Sequence, residues 1–156
     1  MAGRTEMSGA FIDFDEGGRV DWGCNPEMFS DGGNADFAEH SIPGMSGPKL
    51  QFSCGGARLL DFTLRLHYGM EKDVDAAVKL LRSWLYGDYS GGKFIKAPHR
   101  ILVSFGSSWP NEKWVMRSVN VTSRLYDKNL SCLAADVSVS LQEYIETSRG
   151  RKEIIA

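Results

Sequence analysis

No apolar run in the chain approaches the roughly 18 residues that a membrane-spanning helix requires, and the opening MAGRTEMSGA lacks the apolar stretch of a secretory leader. Synthesis in the cytoplasm and no membrane partner are the expectations. There is no excess of one charge either. The 18 Lys and Arg against 20 Asp and Glu give a formal net charge of -2 over 156 residues, which does not suit a dedicated nucleic-acid binder that works by neutralising phosphates. Cysteine is scarce: Cys24, Cys54 and Cys132 lie far apart, with no CxxC pair and no histidine at metal-ligand spacing. Neither a zinc site nor any other metal or cofactor is expected. Cys54 reads as a small core hydrophobe. The odd count leaves open an intersubunit thiol at Cys24 or Cys132 if the mature assembly sits outside the cell.

Catalytic signatures are missing as well. His40, His67 and His99 are the only histidines, with no serine elbow, no HExxH and no acidic orienter at a telling spacing. Asp13, Asp15 and Asp61 alternate with apolar neighbours and read as a solvated strand face rather than an acid-base pair. The glycine pairs 17–18, 32–33, 55–56 and 91–92 are followed by no Lys-Ser or Lys-Thr and read as turns, not phosphate loops. Trp109, Lys113, Trp114 and Arg117 form an aromatic and basic cluster that reads as an interface rim.

What is present is a chain 42% hydrophobic, long enough to bury a core without staples. Residues 9–15 (GAFIDFD) alternate, with Ile12 and Phe14 in the inward phase, and a turn at 16–18 leads into a second strand at 19–24. Over 25–48 the periodicity stops, and this arm loop ends in the stiff IPGMSGP of 42–48. Period two returns at Leu50, Phe52 and Cys54, then at Leu60, Phe62, Leu64, Leu66 and Tyr68 against Asp61, Thr63, Arg65 and His67. Residues 73–86 switch to helical spacing, with Val74, Ala77, Val78, Leu81, Trp84 and Leu85 on one side and Asp73 placed to cap the start. Residues 87–98 read as irregular, and 100–105 (RILVSF) as a strand covered on both faces. A long hairpin closes the domain. Val115, Val119, Val121 and Leu125 face inward on its first strand, 126–130 form the turn, and Leu133, Ala135, Val137, Val139 and Leu141 face inward on its second. The tail 146–156 is mostly charged and ends in an exposed Ile154-Ile155. The expected fold is mainly β (α+β): an antiparallel β-sandwich or half-open barrel of six to seven strands with one amphipathic helix.

A set of segments taken in order carries a resemblance: Asn25-Pro26, IPGMSGPKLQF at 42–52, Gly55-Gly56 with Arg58, LDFTLRLHY at 60–68, the helix ending LLRSWLY, then APHRILVSFGS and VSVSLQEY. In this order and spacing the chain resembles the tube-type baseplate proteins of contractile injection systems and contractile phage tails, over about 12–144. It departs from the family pattern at Cys54, usually serine-like, and at Ser104-Phe105-Gly106, where a bulky aromatic commonly precedes the glycine. The resemblance implies a tail-tube-like domain over 1–145 with arm loop 25–48, and a charged C-terminal tail over 146–156. The cell-wall-binding lysin motif that family members often carry is not expected here.

It further implies a structural protein, not an enzyme, that forms a hexameric ring and initiates or adapts the inner tube onto a central spike hub. The partners implied are copies of itself, a neighbouring tube ring, the hub and the baseplate wedge proteins, with DNA or an effector passing transiently through the lumen. The location implied is a virion or injection particle assembled in the bacterial cytoplasm. In that frame the arm residues Asn25, Pro26, Ile42, Pro43, Gly44, Met45 and Pro48 are candidate interface residues. Ser118, Asn120, Thr122, Asp136, Ser138, Ser140 and Gln142 form a polar phase, low in positive charge, that is a candidate for the lumen wall. The alternatives are the repeating major tail tube protein and a monomeric ligand-binding module using Trp109, Trp114 and the arm.

Overall fold

The computed structural model describes residues 9–22, 24–67, 74–106, 108 and 112–146. Its centre is one antiparallel sheet of seven strands in the order β2-β1-β9-β10-β11-β6-β3. The sheet stays open rather than closing into a barrel. Its strands are β1 (Ala10–Asp13), β2 (Arg19–Asp21), β3 (Phe29–Gly32), β6 (Leu59–His67), β9 (Ile101–Ser104), β10 (Lys113–Tyr126) and β11 (Cys132–Tyr144). Two further hairpins pair only with themselves: β4 (Ala35–His40) with β5 (Lys49–Gly55), and β7 (Asp88–Ser90) with β8 (Lys93–Lys96). The helix α1 (Val74–Ser83) packs on β2, β10 and β11, burying Val74 and Leu81 with Trp84 just beyond its end. The expected cap Asp73, together with Tyr68, Trp109 and the Ile154-Ile155 end, lies outside the described residues.

β6 follows its alternation in full: Leu60, Phe62, Leu64 and Leu66 are buried while Asp61, Thr63, Arg65 and His67 are exposed. On β11, Ala135, Val137, Val139 and Leu141 are buried as expected, and Leu133 is only half-buried because the register slips where β10 nears the turn. The core they share with Phe11, Trp22, Trp84 and Trp114 is rich in rings, with Trp22 and Phe62 centroids 5.2 Å apart and Phe29 and Phe105 4.9 Å apart.

Four expectations are corrected. In β1 the phase is opposite: Phe11 and Asp13 point inward and Phe14 is 45% exposed, because Phe11 fits among Trp22, Phe62 and Trp84 and the Asp13 carboxylate is fully hydrogen-bonded. In β10 a bulge between Met116 and Ser118 changes phase, so Trp114 and Met116 are core before it and Val119 and Val121 pack on the core after it, while Val115 faces the other side. Leu125 lies beyond the core, 60% exposed. In β9 burial alternates, with Ile101 and Val103 buried and Ser104 exposed, so the strand is not covered on both faces. Finally, 25–48 and 87–98 are not irregular: they supply β3, β4, β7 and β8. β3 joins β6 and packs Phe29 on the core, while β4, β7 and β8 are held by backbone pairing with little burial, and the Gly91-Gly92 pair, both at positive φ (57° and 77°), makes the tight β7–β8 turn. Leaving the sheet also exposes Leu50, Phe52 and Cys54, so Cys54 is no core residue.

Candidate functional site

All seven residues of the expected polar phase lie on the sheet face opposite the core. Across the β10–β11 ladder Ser118 pairs with Ser140, Asn120 with Ser138, and Thr122 with Asp136, while Gln142 stands opposite Val115. β6 continues each row, with Asp61 beside Ser140, Thr63 beside Ser138 and Arg65 beside Asp136. Thr63 and Ser138 share a hydroxyl hydrogen bond of 3.2 Å. The segment 24–30 overhangs this face and bounds an open hollow of about 850 Å³, lined by Asn25, Met28, Asp61, Thr63, Asn120 and Ser138 among others. The face is not low in positive charge. Arg65 and Arg124 reach it but are tied to Asp136, Arg65 at 3.7 Å, and Arg117 donates to Gln142 at 2.9 Å. Two arginines share the Asp136 carboxylate and Arg117 is bonded to a neutral amide, so the wall is polar and its cations are held in place rather than all neutralised.

The four strands carrying this face leave two edges without a strand partner among the described residues. β9 reaches β10 only at Lys113 and Trp114, which leaves 115–126 open on that side. β3 covers β6 only over Leu59 to Phe62 and has no strand on its own outer side. Short ladders and exposed polar backbone of this kind are templates for pairing with another chain.

The arm residues divide between that face and a separate projection. Asn25 and Pro26 belong to the overhang, where the Asn25 side chain accepts from the Gly9 N–H at 2.9 Å. Ile42, Pro43, Gly44, Met45 and Pro48 form the tip joining β4 to β5, all exposed, with Gly44 at φ 88°. Phe37 and Phe52 meet edge to face, 5.6 Å between centroids, and both stay exposed. Tyr89 and Phe94 repeat this on the second hairpin at 5.6 Å. Cys24 is exposed and Cys132 is buried, which leaves Cys132 unavailable as an intersubunit thiol without a local opening. Trp114 is fully buried under Arg58, whose guanidinium lies 5.6 Å from its ring, so it offers no ligand surface. Arg58 in turn pairs with Asp31 at 2.7 Å and Glu112 at 2.8 Å, tying β3 to the segment before β10 and raising the Arg58 pKa.

Two charged clusters were hidden in the sequence because their members are distant in it. Arg100 donates to Asp15 at 2.8 Å and to Glu146, and its guanidinium lies 4.8 Å from the Phe14 ring. The Arg100 hydrogen bond, working against partial burial, holds the Asp15 carboxyl down at about 2 from its ordinary 3.8. A folded pKa below the unfolded one means stability that is present above about 3.8 and lost as pH falls through about 2. We expect Asp15→Asn to remove about 1 to 2 kcal/mol at pH 7 and to flatten the stability profile between pH 4 and 2, read by urea unfolding at stepped pH.

The second cluster centres on His99. Its Nδ1 lies 2.7 Å from an Asp13 oxygen, and Glu16 and Asp88 oxygens stand 3.6 Å and 3.5 Å from Nε2. Asp13, Glu16 and His99 form the one group among the described residues with metal-like spacing. Asp13 is already saturated, however: one oxygen accepts the backbone N–H of Asp15 and Glu16, the other the Trp84 indole and His99. The cluster is an ion-pair network rather than a ligand set. The outward placement expected for Asp13 is corrected here, since only 4% of it is exposed.

No family model matches the chain, and no curated protein is similar to it in sequence. Among solved structures its fold is similar to the SPP1 Dit (gp 19.1) protein of the hub adsorption apparatus in phages that infect Gram-positive hosts, with a TM-score of 0.51. The identity is 12%, and the match covers 88% of this chain and 50% of that one, so this chain spans about half the length of its neighbour. At that identity the likeness shows a shared fold.

Proposed function

We propose that this chain is a structural protein of a phage tail or related injection particle, assembling with copies of itself into a ring around a polar bore. The observation that carries the reading is the pair of open edges. Strands β10, β11, β6 and β3 are four in number and antiparallel throughout. In a cyclic assembly the outer edge of β3 therefore runs antiparallel to β10 of the next copy, and the edges join into a continuous wall. The polar faces then all line one side, and the helices lie on the other. The fold shared with a phage hub protein supports the tail setting.

The finer reading is a hexameric ring that initiates or adapts the inner tube onto the spike hub, contacting the next tube ring and baseplate wedge proteins, with DNA or an effector passing through. Its sixfold symmetry follows the resemblance of the sequence to tube-type baseplate proteins. This role needs no catalysis. Negative-stain electron micrographs of concentrated protein, classified by rotational symmetry, test it. Single sixfold rings with an open lumen are expected; unlimited stacks would favour the repeating tube protein. A monomer that forms no ring even on addition of the hub would overturn the assembly reading and leave a binding module.

A further inference from the structure

The β7–β8 hairpin carries exposed Tyr89, Phe94 and Ile95 and pairs with no other strand among the described residues. A side-chain contact joins its base to the rest of the domain. There Asp88, the first residue of β7, faces His99, which lies between β8 and β9. We propose that the His99 imidazole is a proton-operated latch, holding the base of this hairpin against the β1–β2 turn when doubly protonated and releasing it when the Nε2 proton leaves to solvent.

The geometry separates a fixed side from a movable one. Asp13 is held by four donors, namely two backbone N–H groups, the Trp84 indole at 3.2 Å and His99 Nδ1 at 2.7 Å. That contact keeps a proton on Nδ1, so the proton exchanged is the one on Nε2. Nε2 is buried and meets no partner of hydrogen-bonding geometry among the described residues. It faces Asp88 at 3.5 Å and Glu16 at 3.6 Å, whose side chains are 51% and 66% exposed and therefore free to move. With Nε2 protonated, the imidazolium is the one cation among these three carboxylates and attracts both mobile ones. With Nε2 bare, its lone pair and two carboxylates converge, and the repulsion is relieved by swinging Asp88 outward with the hairpin. Arg100 is tied to Asp15, and Lys96, the cross-strand partner of Asp88, sits on the hairpin itself and moves with Asp88, so the contact that changes on release is the one to His99.

The sign follows from the environment. The Asp13 hydrogen bond, opposed by partial burial and aided by Asp88 and Glu16, raises the His99 pKa above the ordinary imidazole value. Burial pushes the Asp13 carboxyl up, but the His99 bond and the backbone donors outweigh it and leave it lowered. The latch is thus closed between these two values and opens as pH rises through the raised one.

The test is a pH titration from 5 to 9 of the full chain by NMR with chelator present, following the His99 ring and the backbone amides of 88–96. Hairpin amides are expected to shift with the same midpoint as His99, and their protection factors, corrected for the base-catalysed rise of intrinsic exchange with pH, to fall at least about tenfold above it, while the protection of β10 and β11 amides stays constant. In Asp88→Asn the hairpin should lose its titration and exchange fast at every pH, with the His99 midpoint moved toward about 6.5. His99→Gln should behave likewise; if it fails to fold, the exposed Asp88 variant still decides. Hairpin amides that ignore the His99 titration, or an Asp88→Asn protein that titrates like the parent, would overturn the latch.

Discussion

Val137→Asp is expected to abolish folding, leaving a protein with no cooperative thermal transition and collapsed amide dispersion. Val137 is 0% exposed and sits in the middle of β11, paired with Leu64 of β6 and Val121 of β10. Its neighbours on that face are Ala135, Val139, Phe62 and Leu66, all apolar and all in the one core cluster. A carboxylate there has no donor and no cation, so it must either stay charged in an apolar medium or take up a proton at a raised pKa. Adding the lost apolar burial, the cost exceeds about 4 kcal/mol, a large share of the 5 to 15 kcal/mol that holds a domain of this size. The neighbouring change Ser138→Asp supplies the control. Ser138 is exposed on the opposite face, and its variant should melt within a few degrees of the parent. A folded Val137→Asp protein, or equal damage from both changes, would show that the inward phase of β11 has been misassigned.

That phase was legible because β11 is regular and covered on one face only: burial there follows the sequence period from Ala135 to Leu141. β6 was legible for the same reason. β10 was legible in extent but not in phase, since a bulge at Arg117 leaves no mark in a run of alternating polar and β-branched residues. β1 misled because its inward polar residue, Asp13, is stabilised by Trp84 and His99, 71 and 86 positions away. No local pattern can show that an aspartate has such partners. In the two free hairpins β5 was read from the period of Leu50, Phe52 and Cys54 but placed in the core, while β4, β7 and β8 escaped notice from the opposite cause. Every residue of β7 and β8 is exposed, so burial imposed no period, and only backbone pairing makes them strands. Of the candidate site, the polar rows at Ser118, Asn120, Ser138 and Ser140 were readable as a phase. The open edges beside them were not, because an edge depends on where β9 and β3 stop, which is a property of the assembled sheet.

Replacing 35–55 by a two-residue glycine-serine linker is expected to leave the fold intact and to eliminate the proposed ring assembly. The chain permits the cut. The Gly56 N–H donates to the Asn34 carbonyl at 2.7 Å, so the two ends of the β4–β5 hairpin already meet, and both residues are kept. The hairpin contributes no residue to the core cluster, and its strands pair only with each other, so its removal deletes no sheet hydrogen bond outside itself. The melting temperature should therefore change by no more than a few degrees. Assembly stands differently. The hairpin holds Phe37, Ile42, Met45, Leu50 and Phe52 in water, five large apolar side chains on one projection. Apolar surface gathered in this way marks a contact, and in a ring the contact is a neighbouring copy or the next ring along the axis. Edge pairing alone joins short strands, β3 being four residues long, and short ladders are weak without a second attachment. Losing the arm removes that attachment at every interface of the ring, so the effect multiplies around it. Electron micrographs and sedimentation should show only monomers at concentrations where the parent forms rings. Rings from the shortened chain would place the whole of the assembly energy in the strand edges and leave the hairpin to contact another protein of the particle.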